Sequence, residues 1–372
     1  MRLLVCAGGT GGGVYPALAV VNRLLREHPD AQILWVGREG GMEARLINRV
    51  GVAFRTLPAA GIHGVGLRRL PGNIHQLGRG YFASRHLLHD FQPDLLFFTG
   101  GYLAAPVALA GLRIPTLLFV PDIEPGMALK FLSQFADCIA ITVEESRRFF
   151  PAKKRVVVTG YPTRAELSSW QKDAAYRVFG FSPTMPTLLV TGGSLGALSI
   201  NQALVPALPD LLEDMQVIHL TGERTWPQFE KVRETLPPEL APRYRAYPYL
   251  HEEMGAAFTI ADLVISRAGA SSLGEYPHFG IPAILVPYPY AWRYQKVNAE
   301  FLESRGAAVQ VPDDELTDVI LPLVRDIMQD VERRRRMQAA MRALRKPQPE
   351  AAIVSLIREM TQTGVGKEKG DD

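Results

Sequence analysis

Residues 3–13 read LLVCAGGTGGG, a short apolar run that ends in a glycine cluster. An apolar-periodic segment follows at residues 15–25, so this stretch predicts a buried strand, a glycine-rich turn and a helix. Near the midpoint, residues 187–197 read TLLVTGGSLGA and precede a helical pattern over residues 200–212. Strand, glycine-rich turn and helix in this order open nucleotide-binding α/β domains.

A second pair of similar segments lies later in each half. Residues 94–102 read DLLFFTGGY and residues 262–270 read DLVISRAGA. Continuous apolar strands that alternate with helical patterns predict parallel sheets covered on both faces, with ligands at the carboxyl ends of the strands. We therefore expect two doubly wound, Rossmann-like α/β domains whose ligand edges face a common cleft. The predicted segments are residues 1–162, residues 163–345, and residues 346–372 as a returning helix with a disordered tail.

The composition is that of a soluble globular protein. The chain has 372 residues, of which 47% are hydrophobic and 21% charged, and a formal net charge of +3. A charge this small excludes a nucleic-acid binder of the usual kind. Cys6 and Cys138 lie in apolar runs and are expected to be buried free thiols in a reducing compartment.

Residues 95–112, which carry no charge, are the best candidate for a transmembrane helix. They contain Gly100, Gly101 and Pro106, which favour a strand, a turn and a short helix instead. The N-terminal apolar run is too short for an export signal. The sequence thus predicts neither a membrane span nor a signal peptide.

The glycine loops depart from the dinucleotide fingerprint Gly-x-Gly-x-x-Gly. In the first loop the last glycine position falls on Val14 or Pro16, and in the second Ser194 replaces the middle glycine. The predicted second strand, residues 33–36, leads into Gly37 and Arg38 and not into an acid that would bind the ribose of NAD. These departures argue against an oxidoreductase.

Residues 266–275, SRAGASSLGE, predict a more specific anion site. A helix starting at residues 269–272 would offer free amides and two hydroxyls to a diphosphate. Glu275 would lie one turn later and accept hydrogen bonds from a ribose, while Arg267 would supply a fixed positive charge. The alternative is a capping box in which Ser271 or Ser272 caps the helix and Glu275 closes the box.

Residues 286–299 form a loop rich in proline and aromatic residues, followed by a helix start. Gln295 and Asn298 are three residues apart on that helix, where their amides could bind sugar hydroxyls, and the aromatic rings could stack on a ligand. The alternative is a rigid loop with an ordinary polar helix start.

Taken together, these motifs resemble those of the MurG family of glycosyltransferases, in order and to about residue 345. The resemblance rests on the glycine cluster before Tyr15-Pro16-Ala17, on Gly100-Gly101-Tyr102, and on the segments at residues 192–197, 267–275 and 295–299. It implies a GT-B architecture, with the donor UDP-N-acetylglucosamine in the C-terminal domain. It also implies a lipid acceptor, undecaprenyl-diphosphate-muramyl-pentapeptide, in the N-terminal domain.

The resemblance also implies roles for individual residues. On the donor side, Ala270, Ser271 and Ser272 would hold the diphosphate beside Gly269, and Glu275 the ribose. Gln295 would hold the sugar, with Asn298 on the same helix, and Leu250 the uracil, while Ser194 and Arg164 would line the cleft. The acceptor side would comprise Gly9, Thr10, Gly11, Gly12, Gly13, Gly101 and Tyr102.

Two positions depart from the family pattern on the acceptor side. Gly13 stands where the family has histidine, and residues 119–122, FVPD, replace its His-Glu-Gln-Asn segment. Asp122 is the first candidate for the catalytic base and Glu124 the second. The alternative is that Asp122 is an Asx-turn residue between two prolines.

Residues 61–91 mix basic and apolar side chains. They include Arg68, Arg69, Arg79 and Arg85, four histidines, and Leu67, Leu70, Ile74, Leu77, Tyr81 and Phe82. This mixture suits peripheral docking on an anionic membrane, here the inner face of the cytoplasmic membrane. The alternative is a solvated helical pair whose leucines pack inward.

No Asp-x-Asp triplet occurs in the sequence, so we expect a metal-independent, inverting transfer without a cofactor. Helix N-terminal amides, Arg164 or Arg267, and hydroxyls would stabilise the departing diphosphate. Three alternatives stay open: transfer to another membrane lipid such as a diacylglycerol, UDP-N-acetylglucosamine 2-epimerisation, and an inactive nucleotide-sugar-binding subunit.

Overall fold

The computed structural model describes residues 1–8, 11–38, 42–58, 70–289 and 294–363. The chain divides into two compact units. Unit 1 comprises Met1–Arg164 and Lys346–Asp372, and unit 2 comprises Ala165–Arg345.

Unit 1 is built on a seven-stranded parallel sheet with the order β3-β2-β1-β4-β5-β6-β7. Its elements, numbered in chain order, are β1 (Arg2–Cys6), α1 (Gly11–Glu27), β2 (Gln32–Gly37), α2 (Met42–Arg49), β3 (Ala53–Thr56), α3 (Leu70–Phe91), β4 (Leu95–Phe98), α4 (Ala104–Ala110), β5 (Thr116–Val120), α5 (Met127–Leu132), β6 (Cys138–Ile141), β7 (Arg155–Val158) and α14 (Pro349–Thr363).

Unit 2 is built on a six-stranded parallel sheet with the order β10-β9-β8-β11-β12-β13. Its elements are α6 (Lys172–Phe179), β8 (Thr187–Thr191), α7 (Leu198–Asp214), β9 (Gln216–Leu220), α8 (Trp226–Phe229), β10 (Tyr244–Tyr247), α9 (Met254–Ile260), β11 (Leu263–Ser266), α10 (Glu275–Phe279), β12 (Ala283–Leu285), α11 (Tyr294–Glu303), β13 (Ala308–Gln310), α12 (Leu316–Gln329) and α13 (Val331–Ala343).

The continuous apolar runs form the central strands, as the sequence predicts. Every residue of β4, β5, β8 and β11 is buried, because helices cover both faces of a parallel sheet. The expectation of buried, unpaired thiols is confirmed for Cys6 and Cys138, both on buried strands. The prediction of two doubly wound α/β sheets is therefore correct.

The uncharged stretch at residues 95–112 forms β4, a turn and the short helix α4, as predicted. Gly100 and Gly101 make the turn with φ of 128° and 88°, a region that L side chains rarely adopt. In the part of the chain that the structure describes, no helix has both the length and the hydropathy to span a bilayer.

Helix α1 begins earlier than the sequence pattern predicts. Its first turn contains Gly11, Gly12 and Gly13, whereas the apolar periodicity starts only at Tyr15. Hydrophobic periodicity appears only where apolar side chains pack against the sheet. Glycine has no side chain, so the three glycines contribute nothing to this pattern although they lie in the helix. The glycine cluster is therefore in part a helix N-terminus and not only a turn.

Helix α14 packs against α1. Its buried side chains include Ile353, Val354 and Ile357, and Glu359 pairs with Arg155, the first residue of β7, at 2.7 Å. The last described helix therefore completes the unit that contains the first strand.

Candidate functional site

Each sheet has a point where the strand order reverses, and ligands of open α/β sheets bind there. In unit 2, β8 lies between β9 and β11, so the loop after β8 and the loop after β11 meet at the carboxyl edge. These are residues 192–197 and residues 267–269. In unit 1, β1 lies between β2 and β4, which brings the glycine cluster beside Gly101.

The loop after β11 leads into a tight turn and not directly into an α-helix. Ala270–Leu273 form a 3-10 helix, and α10 begins at Glu275 with Gly274 as its N-cap. The Ser272 hydroxyl donates to the Gly269 carbonyl oxygen at 2.7 Å. The capping-box alternative is therefore wrong, because neither serine caps α10 and Glu275 occupies its first position.

The turn still has the properties of an anion site. The backbone at Gly269 is open, since a Cβ atom there would meet nothing within 4 Å. The amides of Ala270 and Ser271 begin the 3-10 helix, where backbone N–H groups have no partner within the helix. Glu275 follows in the first turn of α10. Gly269, Ala270, Ser271 and Glu275 are thus brought together at one edge of the sheet.

Arg267 is fixed at the mouth of this turn, but its charge is balanced. Its guanidinium forms an ion pair with Asp313 and donates to Ser199 Oγ at 2.8 Å and to the Val286 carbonyl oxygen at 3.1 Å. It also lies over the Tyr288 ring, 5.2 Å from the centroid. These contacts indicate that Arg267 braces the loops after β11, β12 and β13, with Asp313 as the partner that the sequence did not reveal.

The two amides on α11 also face protein groups. Asn298 is fully buried and donates to the Ala268 carbonyl oxygen at 3.1 Å. Gln295 Oε1 accepts a hydrogen bond from the Tyr288 amide at 2.8 Å. Asn298 therefore holds the backbone beside Gly269, and its predicted contact with the sugar stays a prediction. Residues 290–293, which include two of the predicted stacking aromatics, lie outside the described residues.

The loop after β8 carries Ser194, whose carbonyl oxygen accepts from the Glu223 amide at 3.1 Å. Its neighbour Gly196 lies against the loop after β9, where Gly222 comes within contact distance. Leu250 is buried in the loop after β10, at the same edge of the sheet. The predicted donor residues other than Arg164 thus lie in unit 2, along the carboxyl ends of its strands.

Arg164 is the last residue of the first segment of unit 1. Its guanidinium stacks on the Tyr15 ring of α1 at 4.2 Å from the centroid. Within the described ranges its Nε is buried and has no hydrogen-bond partner. The cation is therefore held against the first helix of unit 1.

The glycine cluster of unit 1 lies close to the loop after β4. A Cβ atom on Gly101 would be 3.3 Å from the Gly8 carbonyl oxygen, and Thr99 Oγ1 donates to the Gly13 carbonyl oxygen at 2.8 Å. Tyr102 is partly exposed beside them. Gly11, Gly12, Gly13, Gly101 and Tyr102 therefore share one edge, whereas Gly9 and Thr10 lie outside the described residues.

Asp122 and Glu124 follow β5, the next strand along the same edge. Asp122 is half-buried and has polar contacts of its own. Glu124 is buried and forms an ion pair with Lys130 at 3.2 Å. The adjoining Pro121 carbonyl oxygen accepts from Thr142 Oγ1 at 2.9 Å, which fixes this loop. Of the two carboxylates, Asp122 is the one nearer to solvent.

Tyr161 is a site residue that the sequence reasoning missed. Pro16 lies inside α1 and has no N–H, so the carbonyl oxygen of Gly12, four residues earlier, has no intrahelical donor. The Tyr161 hydroxyl donates to that oxygen at 3.3 Å. Its ring packs edge-on against Phe119, with centroids 6.2 Å apart. Pro16 is the sixth residue of α1 but only the second of the predicted helix at residues 15–25, so the sequence pattern gave no signal of the unpaired carbonyl.

We expect Tyr161→Phe to lower the free energy of unfolding by about 0.5–1.5 kcal/mol, because it removes the hydrogen bond to the part-buried Gly12 carbonyl oxygen. Denaturant unfolding of the two proteins measures this difference. In a Pro16→Ala background the new Ala N–H can bond to that oxygen, so the cost of Tyr161→Phe should shrink by about 1 kcal/mol. An equal cost in both backgrounds would contradict this role for Tyr161.

Among the described residues, no cluster of three or more His, Cys, Asp or Glu side chains could hold a metal ion.

Comparisons with known proteins match both halves of the chain to domains of one glycosyltransferase family. Residues 3–141 match the glycosyltransferase family 28 N-terminal domain, and residues 187–354 match the glycosyltransferase family 28 C-terminal domain. The UDP-N-acetylglucosamine--N-acetylmuramyl-(pentapeptide) pyrophosphoryl-undecaprenol N-acetylglucosamine transferase of Desulforudis audaxviator (strain MP104C) is 38% identical over 373 residues, 98% of this chain and 100% of that protein.

Two solved structures are also similar. MurG of Acinetobacter baumannii is 28% identical with a TM-score of 0.75, over 96% of this chain and 99% of that one. UDP-GlcNAc 2-epimerase of Neisseria meningitidis, bound to UDP-GlcNAc, is 14% identical with a TM-score of 0.68, over 96% of this chain and 100% of that one. At that identity the second likeness concerns the fold alone.

Proposed function

The chain belongs to glycosyltransferase family 28, and on that premise we propose that it transfers N-acetylglucosamine from UDP-N-acetylglucosamine to a polyprenyl-diphosphate-linked muramyl-pentapeptide lipid. The observation that carries this proposal is the full-length likeness to a transferase of that name, at 38% identity over 98% of the chain. The product would be a lipid intermediate of peptidoglycan synthesis, made at the inner face of the cytoplasmic membrane.

We place the donor in unit 2, on the open turn after β11. The amides of Ala270 and Ser271 would bind the diphosphate, and Glu275 would accept hydrogen bonds from the ribose. Ser194 would approach from the loop after β8, and Leu250 from the loop after β10. Gln295 would bind the sugar while its Oε1 holds the Tyr288 amide. Arg267 and Asn298 would keep the turn in position.

We place the acceptor diphosphate at the N-terminus of α1 in unit 1. The glycines at positions 11–13 leave the first-turn amides accessible, and the helix dipole favours an anion there. Gly101 and Tyr102 would line the same edge. Gly9 and Thr10 complete the proposed set.

The proposed reaction is a single displacement with inversion. Asp122 would accept the proton of the acceptor hydroxyl, the hydroxyl oxygen would form a bond to the anomeric carbon, and the bond from that carbon to UDP would break. Helix-terminal amides would stabilise the charge on the departing diphosphate. Glu124 is the weaker candidate for the base, because it is buried and paired with Lys130.

A second acceptor class deserves a direct test, because the two family positions occupied by Gly13 and Phe119 have lost polar side chains on the acceptor side. The alternative is transfer to another membrane lipid such as a diacylglycerol. The experiment supplies radiolabelled UDP-N-acetylglucosamine together with either the polyprenyl-diphosphate muramyl-pentapeptide or a diacylglycerol. We expect label only in the first lipid.

Label in the diacylglycerol alone would replace the proposed acceptor. Sugar epimerisation or UDP release without any lipid would favour the epimerase alternative. Tight UDP-N-acetylglucosamine binding without transfer to either lipid would indicate an inactive binding subunit.

We also propose that α3 and α4 dock on the membrane that holds the acceptor. The two helices pack together, with Gly80 of α3 close to Pro106 of α4. They expose Phe82 (64%), Leu109 (39%) and, just past α4, Leu112 (54%). Arg79, Arg85 and Arg113 are exposed nearby in sequence. Apolar side chains beside cations suit an anionic bilayer surface, at about 1 kcal/mol per basic residue.

The remaining apolar side chains of the predicted membrane segment, residues 61–91, differ in how far they are exposed. Leu77 and Tyr81 are half-buried and Leu88 is buried, so part of α3 packs inward as the alternative interpretation expected. The positions of Leu67, Arg68 and Arg69, and the side chains of Leu70 and Ile74, lie outside what the structure describes.

We expect the double substitution Phe82→Ser, Leu112→Ser to weaken binding to phosphatidylglycerol vesicles by at least about tenfold, because it removes two exposed apolar side chains from the contact. Co-sedimentation with the vesicles measures the change. The matched control is Val331→Ser on α13, where Val331 is 45% exposed. Equal vesicle binding by the double variant and the control would contradict docking through α3 and α4.

A further inference from the structure

A chain of buried polar side chains runs through unit 2, from β10 to the loop after β9. His219 and Asn201 are fully buried, as is Tyr244. His219 Nδ1 lies 2.8 Å from the Tyr244 hydroxyl, and His219 Nε2 lies 3.0 Å from Asn201 Oδ1. An apolar core carries such a network only when each polar group has a partner.

The directions of the hydrogen bonds in this network follow from one backbone oxygen and from the charge of His219. Asn201 Nδ2 donates to the Thr221 carbonyl oxygen at 2.9 Å, and a carbonyl oxygen can only accept. Asn201 Oδ1 must therefore face His219, so Nε2 carries a proton and donates to that oxygen. Burial lowers the pKa of His219 to about 3, so the imidazole is neutral near pH 7 and Nδ1 accepts from the Tyr244 hydroxyl.

At its far end the network reaches the contact between the loop after β8 and the loop after β9, which we call the joint. Thr225 Oγ1 also donates to the Thr221 carbonyl oxygen and accepts from Asn201 Nδ2 at 3.1 Å. A Cβ atom on Gly196 would lie 2.2 Å from that same oxygen. The Glu223 amide, two residues on, donates to the Ser194 carbonyl oxygen at 3.1 Å. The position of the Thr221 carbonyl therefore sets how closely the loop after β8 can approach.

We propose that Asn201, His219 and Tyr244 are positioning residues for the donor, because they hold the Thr221 carbonyl and through it the loop that carries Ser194. None of the three touches the open edge, since all are fully buried. The inference rests on the proposed function only in taking UDP-N-acetylglucosamine as the ligand of that loop.

Asn201→Asp tests the joint directly. The substitution keeps an oxygen toward His219 but turns a second oxygen toward the Thr221 carbonyl, where a donor is needed. We expect the KM for UDP-N-acetylglucosamine to rise about tenfold, with the KM for the acceptor within about twofold of the wild type. Tyr244→Phe removes only the hydroxyl at the distant end, so it should raise the donor KM by less.

Gln216→Met is the matched control. Gln216 is buried on the same strand, β9, but at its amino end, where it bonds to Ser182, Met185 and Thr187. We expect Gln216→Met to lose about as much thermal stability as Asn201→Asp and to keep the wild-type KM for UDP-N-acetylglucosamine. Thr225→Val supplies a milder change at the joint, should Asn201→Asp fail to fold, and is expected to raise the donor KM by a few-fold.

Calorimetric titration with UDP-N-acetylglucosamine separates the possible failures. If the wild type binds the nucleotide sugar and the folded variants at the joint, Asn201→Asp and Thr225→Val, bind it equally well, the positioning inference is wrong. The inference would also be overturned if Gln216→Met raised the donor KM as much as the variants at the joint, because a general loss of stability of unit 2 would then explain both results. If the wild type does not bind the nucleotide sugar at all, the proposed function itself fails.

Discussion

Asp122→Asn is expected to lower turnover by about 10²–10⁴-fold while UDP-N-acetylglucosamine still binds, because the amide cannot accept the proton of the acceptor hydroxyl. The expectation rests on where the carboxylate lies: half-buried after β5, on the edge that also carries Gly101 and the first turn of α1. Single-turnover transfer measures the chemical step, and calorimetry with the nucleotide sugar measures binding.

Asp137→Asn is the control for this loss. Asp137 is also half-buried and also flanks β5, but at the other end, where its Oδ2 accepts from the Thr116 amide at 3.0 Å. It should cost stability and leave turnover within a few-fold. Glu124→Gln breaks the pair with Lys130 and should likewise act mainly on stability. Full turnover by Asp122→Asn, or a larger loss with Glu124→Gln, would remove Asp122 from the mechanism.

Gly196→Ala is expected to destabilise unit 2 by about 2–5 kcal/mol and to abolish measurable donor binding. Two costs add at this position. The backbone has φ of +84°, which L residues adopt at a penalty, and the new Cβ would lie 2.2 Å from the Thr221 carbonyl oxygen. Both atoms in that overlap belong to the closely packed loops after β8 and β9, so a side-chain rotation cannot relieve it.

Gly193→Ala separates the two costs. Gly193 lies in the same loop with φ of +77°, but a Cβ atom there would meet nothing within 4 Å. It should therefore cost only the conformational penalty, about 1–2 kcal/mol. Denaturant unfolding and donor titration of both variants provide the comparison. Equal losses at positions 193 and 196 would show that the close approach of the two loops is unimportant.

The local patterns predicted the strands and the turns at their carboxyl ends, where we propose that the ligands bind. Unbroken apolar runs such as residues 95–98 identified strands buried on both faces, and the glycines after them identified the turns at the strand ends. The start of α1 was predicted late, because glycine contributes nothing to hydrophobic periodicity. At residues 270–275 the pattern predicted one helix, and Gly274 divides it into a 3-10 turn and α10.

The partners of the polar side chains could not be predicted from local patterns. Arg267 pairs with Asp313, 46 residues away, and Tyr161 donates to Gly12 across 149 residues. Asn298, which the sequence predicts to contact the sugar, is buried and donates to the Ala268 carbonyl oxygen. Tertiary packing decides whether an amide faces a ligand or a neighbouring loop, and spacing along the chain carries no information about it.

The position of α14 bears on how the polypeptide folds during synthesis. Its buried face lies on α1, and Glu350 approaches Arg23 of that helix at 3.9 Å, although residues 165–345 are translated in between. When the first half of the nascent chain leaves the ribosome, the face of α1 that later packs against α14 would thus still be exposed to solvent. Unit 2 is continuous in the sequence and can fold as soon as it has been synthesised. We expect unit 1 to become resistant to proteases only after α14 has been synthesised and packed against α1.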